Sequence, residues 1–251
     1  MSRGRIRDMK RMLIEDMREY IFLIFSVKYE ENGVSMDSRT YLGTGFFVSK
    51  QGDAFTASHV IPPPEDIESD RRLIAVTMRE GKQEVCWINK ALKFDELDIA
   101  LIGVNLKGNK YFELVTEEIY SGTDIQAIGF PSHEMNLRGK EMRILKGYVT
   151  CSHKKLELNF AVPSGMSGSP VFIGNKVAAL ATGYIRSEEI EDYHEELFTI
   201  SNQKEIIKIT EIRKAVYYGI ALPFSELKLI TDPALENKTI FEFITQQNNT
   251  I

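Results

Sequence analysis

Apolar residues along this chain gather into short runs, and the spacing of those runs changes once, near the start. From Arg5 to Tyr20 the apolar positions Ile6, Met9, Met12, Leu13 and Met17 fall at steps of three, three, one and four, with charges elsewhere. That spacing predicts one face of an amphipathic helix. Beyond it the runs become short and rich in β-branched and aromatic residues: Ile21 to Tyr29, Tyr41 to Val48, Asp53 to Thr56, Leu73 to Met78, Glu84 to Ile88 and Ile99 to Val104. Glu31-Asn32-Gly33 and Lys50-Gln51-Gly52-Asp53 supply turn signals between them.

A second set follows at Ile125 to Phe130, Met142 to Cys151, Leu156 to Ala161, Val171 to Ile173, Lys176 to Tyr184 and Val216 to Leu222. Many short strands at regular spacing predict a barrel or a sandwich. The polar segment Asn105 to Thr116 contains Gly108 and separates the two sets, so it is the natural subdomain boundary. Two stretches break the pattern. Ser187 to Glu196 carries Glu188, Glu189, Glu191, Asp192, Glu195 and Glu196 and reads as a solvated loop, with steering of basic substrate stretches as the sharper alternative. After Asp232 the chain reads as a tail with a short helix, ending in the polar Gln246-Gln247-Asn248-Asn249-Thr250.

Composition narrows the function classes. At 251 residues, 43% hydrophobic and 27% charged, the chain can bury a core. Its formal charge of -5 offers no basic field for a phosphate backbone, so nucleic-acid binding is set aside. The run Tyr20 to Val27 is too short to span a bilayer, and Met1 to Glu19 is too charged for a secretory signal. Only Cys86 and Cys151 are present, which favours a reducing, cytoplasmic compartment and leaves room for one pair at most.

Three segments carry candidate chemistry. Pro163-Ser164-Gly165-Met166-Ser167-Gly168-Ser169-Pro170 flanks a serine with glycines ahead of an apolar strand. Such a turn exposes a hydroxyl and frees N–H groups to face a developing oxyanion, although a Gly/Ser turn between strands is more often a plain turn. Ala54-Phe55-Thr56-Ala57-Ser58-His59-Val60 places a histidine at the end of an apolar strand, before Pro62-Pro63-Pro64 forces extended chain. A lone histidine there is ordinarily structural, but a base for serine also needs such a rigid support. Asp95-Glu96-Leu97-Asp98-Ile99-Ala100-Leu101-Ile102 puts a carboxylate at a strand entry, where it serves either as a cap or as the group that fixes a histidine tautomer.

Taken together, Thr56-Ala57-Ser58-His59, Asp98-Ile99-Ala100-Leu101 and Gly165-Met166-Ser167-Gly168-Ser169-Pro170 resemble the three catalytic segments of trypsin-like serine peptidases. His59 precedes Asp98 by 39 residues and Asp98 precedes Ser167 by 69, compact spacings that suit the short-looped bacterial branch. Gly43-Thr44-Gly45-Phe46 before the histidine and Ile128-Gly129-Phe130-Pro131 midway strengthen the resemblance, which runs from Ile21 to Leu227. It implies a mainly β fold of two six-stranded antiparallel barrels, about 21–110 and 117–232, with the helix 1–20 before them and the tail 233–251 after. It further implies an endopeptidase acting through an acyl-enzyme. Ser167 would be the nucleophile, His59 the base, Asp98 the orienter, and the N–H groups of Gly165 and Ser167 the oxyanion hole. No metal or organic cofactor is required.

The chain also departs from the digestive members. Met166 stands where they carry an aspartate that pairs with a new N-terminus, so activation of that kind is not expected. Counting back from Ser167 puts the base of the specificity pocket at Ala161 and Val162. Ala181, Thr182 and Gly183 fall on the substrate-pairing strand and Gly219 on a further wall. With no carboxylate at the base, small or apolar side chains are the expected preference. The implied partner is a protein or peptide substrate, with a regulatory protein left open and no membrane or nucleic acid. The competing reading is a trypsin-fold interaction module that is inactive or gated by a partner. An esterase of α/β-hydrolase type is disfavoured by the order His, Asp, Ser.

Overall fold

Alternation of apolar and polar residues builds two closed antiparallel barrels in the computed structural model, which describes residues 14–30, 33–63, 70–132, 141–189, 214–228 and 230–249. The first barrel comprises β1 (Ile21–Glu30), β2 (Gly33–Phe47), β3 (Asp53–Thr56), β4 (Arg71–Arg79), β5 (Lys82–Phe94) and β6 (Ile99–Val104). The second comprises β7 (Asp124–Gly129), β8 (Arg143–Ser152), β9 (Leu156–Leu158), β10 (Pro170–Ile173), β11 (Lys176–Glu189) and β12 (Lys214–Pro223). In space the first runs β1-β2-β3-β6-β5-β4 and the second β10-β11-β12-β9-β8-β7, the same order read from opposite ends. Closure removes the free edges that an open sheet would leave to aggregate.

Every run named as a strand from the sequence forms one. β2 and β5 are longer than their apolar stretches: polar residues continue the hairpin ladders to Glu30 opposite Gly33 and to Arg79 opposite Lys82, and the far end of β5 runs on to Phe94 by pairing with β6. The acidic loop needs correcting. Ser187 to Glu189 extend β11, paired with Val216 to Lys214 of β12, and the remainder of that stretch lies outside the described residues. Most of the expected N-terminal helix also lies outside them; the described part is one turn, α1 (Ile14–Met17). Cys86, buried in the first barrel, and Cys151, on the second, are both free.

One buried cluster spans both barrels, beside a separate one inside the second barrel and a small one in the first. Phe46 and Phe55 of the first barrel, Phe172 and Leu222 of the second, and Phe224 beyond it belong to a single buried cluster. Phe112 belongs to it too. The segment expected as a polar boundary therefore acts as a joint: the Phe112 ring meets Tyr20 at 4.7 Å, Phe172 edge-on at 5.2 Å and Phe46 at 6.2 Å. Burying such a ring fully contributes about 1.5–3 kcal/mol relative to leaving it exposed.

The chain after β12 also belongs to this core. α2 (Ile240–Asn249) buries Ile240 and Ile244, and Phe241 meets Phe224 edge-on at 6.5 Å. Its start is a capping box, in which Thr239 Oγ1 accepts the Glu242 N–H at 3.2 Å and Glu242 Oε2 accepts the Thr239 N–H at 2.8 Å. The helix carries on through the polar Gln246 to Asn249 because Asn248 bridges to the first barrel, donating to Val48 O and accepting from Lys50 N, each at 3.1 Å.

Candidate active site

Strand pairing in the first barrel brings His59 and Asp98 together. β3 and β6 run antiparallel with Thr56 opposite Ala100, so the chain leaving β3 and the chain entering β6 meet at the same end. There Ser58–Val60 makes a short 3-10 turn, while Asp98 adopts a left-handed φ of 59°, a conformation aspartate tolerates better than most residues. The Asp98 carboxylate faces the imidazole squarely, with both oxygens 2.9 Å from His59 Nδ1. One of them also accepts the His59 backbone N–H at 3.1 Å. The histidine side chain remains 50% exposed and the aspartate 24%, so the ring's far nitrogen is left for other chemistry. A second tie comes from the same loop, where Ser58 Oγ donates to Asp95. Asp95 is held below its ordinary range first by that bond and also by Lys93.

Ser167 sits on the turn between β9 and β10 of the second barrel, just before β10. Gly168 has φ of +86°, and a Cβ there would lie 2.0 Å from Thr44 O and 2.4 Å from Thr56 Oγ1, so only glycine lets this turn seat against β2 and β3. Thr44 N–H donates to Ser167 O at 3.0 Å, which joins the serine turn to the histidine barrel. The Ser167 hydroxyl donates to Thr182 O at 3.3 Å. Thr182 is the residue skipped in the β11–β12 register between Ala181 and Gly183, a bulge that turns its carbonyl out of the ladder. Among the described residues no hydrogen bond joins Ser167 to His59.

The peptides around Ser167 have fixed directions. Ser164 O accepts the Ser132 N–H at 2.7 Å and Met166 O accepts the Ser169 N–H at 3.0 Å. A trans peptide points its carbonyl and its N–H opposite ways, so the N–H groups of Gly165 and Ser167 turn away from those partners. Neither is given to an acceptor among the described residues. Met166, between them, is fully buried in the second barrel's core, so an apolar anchor stands where the digestive enzymes have an ion pair.

The expected pocket residues divide. Val162 and Ala181 pack in the second barrel's core, while Ala161 and Gly183 are half-buried. Thr182 is buried and donates its hydroxyl toward Ile220 O at 3.4 Å. Gly219 lies against the Phe160–Val162 segment, its N–H on Phe160 O at 2.7 Å, so these walls do meet. Sequence reasoning missed Tyr41 and Ser132, both in contact with the serine turn, because those contacts span long stretches of chain. Among the described residues no three His, Cys, Asp or Glu side chains converge as a metal site would need.

These features coincide with a known family. The model for the trypsin-like peptidase domain matches residues 43–179, more than half of the chain. No curated protein matches by sequence. Among solved structures, the HtrA-type protease AlgW with a decapeptide is similar at a TM-score of 0.52 and 14% identity, covering 82% of this chain and 61% of that one. The serine endoprotease from Yersinia pestis is similar at 0.51 and 16%, covering 95% of this chain and 69% of that one. At such identities the likeness is one of fold, and this chain spans about three fifths of the AlgW chain. By its sequence family and by its two six-stranded barrels, the chain belongs to the trypsin-like serine peptidases.

Proposed function

We propose that this protein is a serine endopeptidase that hydrolyses peptide bonds through an acyl-enzyme, with Ser167, His59 and Asp98 as its triad. The observation that carries the proposal is the Asp98 carboxylate held at 2.9 Å from His59 Nδ1, on the edge of the barrel that receives the serine turn. A carboxylate there keeps the proton on Nδ1 and leaves Nε2 as an acceptor. Ser167 Oγ attacks the scissile carbonyl and passes its proton to Nε2. The C–N bond then breaks as the amine takes that proton. Water attacks the ester next, giving a proton to Nε2, and the acyl–oxygen bond breaks as Ser167 recovers its own. The oxyanion of each tetrahedral intermediate is met by the N–H groups of Gly165 and Ser167, an interaction that can lower a barrier by several kcal/mol.

The substrate class follows from the walls. Ala161, Gly183 and Gly219 offer no carboxylate, so a small or apolar side chain is preferred next to the scissile bond, with Lys and Arg disfavoured. AlgW, alike in fold, is a protease seen with a decapeptide, which accords with a peptide ligand. The free thiols Cys86 and Cys151 accord with a reducing, cytoplasmic setting, and a peptidase at work there would be a regulated effector of restricted action, since unrestricted cleavage would harm the cell.

One observation favours a second reading, a module that is inactive or gated by a partner: the Ser167 hydroxyl is bonded to Thr182 O instead of His59. Catalytic hydrogen bonds are often long or misaligned without substrate, so the Thr182 contact is compatible with either reading. Incubating the purified protein with a peptide library, alone and with cell lysate, decides between them. Cleavage by the pure protein that is lost in Ser167→Ala supports the peptidase, and cleavage only with lysate supports gating. Absence of Ser167-dependent cleavage in both refutes the proposal.

A further inference from the structure

Two hydroxyls of the first barrel grip the turn that carries Ser167. Tyr41 Oη lies 2.7 Å from Phe130 O and 2.7 Å from Gly165 O. Thr44 Oγ1 donates to Gly165 O at 2.8 Å and accepts the Phe130 N–H at 3.2 Å. The two oxygens are themselves 3.3 Å apart. Each hydroxyl has one proton to give. Thr44 spends its proton on Gly165 O, and the Tyr41 proton lies between the two carbonyls, so the pair together satisfies Phe130 O and Gly165 O.

The segments gripped in this way are the two whose mutual bond matters most for the site. Ser132, two residues beyond Phe130, donates the N–H that holds Ser164 O at 2.7 Å. That bond sets the direction of the Ser164–Gly165 peptide and hence of the Gly165 N–H. Gly165 itself, at φ of +90°, has no intrinsic preference that would keep the peptide there, since glycine populates both signs of φ. Neither can a side chain be added to stiffen it, because a Cβ would lie 2.6 Å from both Ser132 N and the Tyr41 ring.

We infer that Tyr41 and Thr44 are positioning residues: by tying Gly165 to Phe130 they hold the Gly165 N–H toward the reaction centre, so the oxyanion site stands ready before substrate arrives. This inference rests on the peptidase reading above. Burial raises the Tyr41 hydroxyl far beyond its ordinary range, so it stays a proton donor at any pH the protein meets. Thr44 is fully buried, which keeps water from replacing it.

The test uses Tyr41→Phe, Thr44→Val and Thr44→Ser, with rates expressed per active site titrated by a fluorophosphonate, so loss of folded protein does not count. Removing an oxyanion donor outright costs about 100- to 1,000-fold in kcat, and loosening one should cost about 10- to 100-fold, with KM within about twofold. Thr44→Ser should return to within about threefold of the parent. Affinity for a peptide boronate, which places an oxygen in the hole, should fall in parallel with kcat. Unchanged kcat in both Tyr41→Phe and Thr44→Val, or a change confined to KM, overturns the inference. Crystal structures of the two variants give a readout that needs no activity: a turned Ser164–Gly165 peptide supports the clamp, and an unmoved one in both refutes it. A parent protein that never labels would refute the peptidase reading, and the clamp would still be judged by that peptide.

Discussion

Replacing the Asp98 carboxylate by a carboxamide, Asp98→Asn, tests the proposed catalysis with almost no change in shape. Both carboxylate oxygens stand 2.9 Å from His59 Nδ1, and one also takes the His59 backbone N–H. The backbone N–H can only donate, so the oxygen of the substituted amide is drawn to it. The –NH2 then occupies the other position, 2.9 Å from Nδ1, where it too donates. Nδ1 must therefore become the acceptor, and the ring proton moves to Nε2, where it blocks transfer from Ser167. An equivalent tautomer error in a serine protease triad costs about 10,000-fold in kcat, or about 5 kcal/mol of barrier. The hydrogen bonds remain filled, so thermal stability should stay within a few degrees of the parent. The assay is kcat on a cleavable peptide together with the fluorophosphonate labelling rate, both normalised to folded protein by circular dichroism. A fall of less than about tenfold would show that Asp98 does not set the tautomer of His59, and the mechanism as drawn would be wrong.

Other consequences are structural. Phe112→Ala should cost about 3–5 kcal/mol in urea unfolding, because the ring joins both barrels, and a loss under about 1 kcal/mol would show that the joint collapses without penalty. Thr239→Ala removes half of the capping box at α2 and should lower stability by about 1 kcal/mol by the same measurement. The Glu19 carboxylate is held below its ordinary value chiefly by a hydrogen bond from Lys110, which also stays protonated more firmly for it. With the folded value depressed, the gain is complete above the ordinary value of 4.5 and disappears as pH falls through the folded one. Parent and Glu19→Gln melting curves should therefore differ at neutral pH and converge in acid; a gap that widens in acid would reverse the sign.

How much of this could be read from the residues depends on how local each cause is. Short apolar alternation is local, so all twelve strands were legible, while some continuations escaped: Asn89 to Phe94 of β5 and Ser187 to Glu189 of β11 are held as strand by pairing with β6 and β12 rather than by their own pattern. The glycine-flanked serine, the histidine and the aspartate were legible as motifs, and the pairing of Thr56 with Ala100 supplies the physical reason that the histidine and the aspartate meet. The capping box at Thr239 and Glu242 was also present in the sequence, yet the polar residues after it read as a tail because Asn248 finds its partners across the molecule, on Val48 and Lys50. Phe112 looked like part of a polar linker for the same reason, since its neighbours Phe46 and Phe172 come from different barrels. Tyr41 shows the limit most clearly. Its two acceptors lie 89 and 124 residues away, and no local pattern around it announces a hydroxyl needed there.

The central claim is that Ser167 is an activated nucleophile, and fluorophosphonate labelling mapped by mass spectrometry tests it most directly. The account predicts one labelled residue, Ser167, with labelling abolished in Ser167→Ala and slowed severely in His59→Ala. Labelling at another residue, or a rate at Ser167 that His59→Ala leaves unchanged, would contradict it.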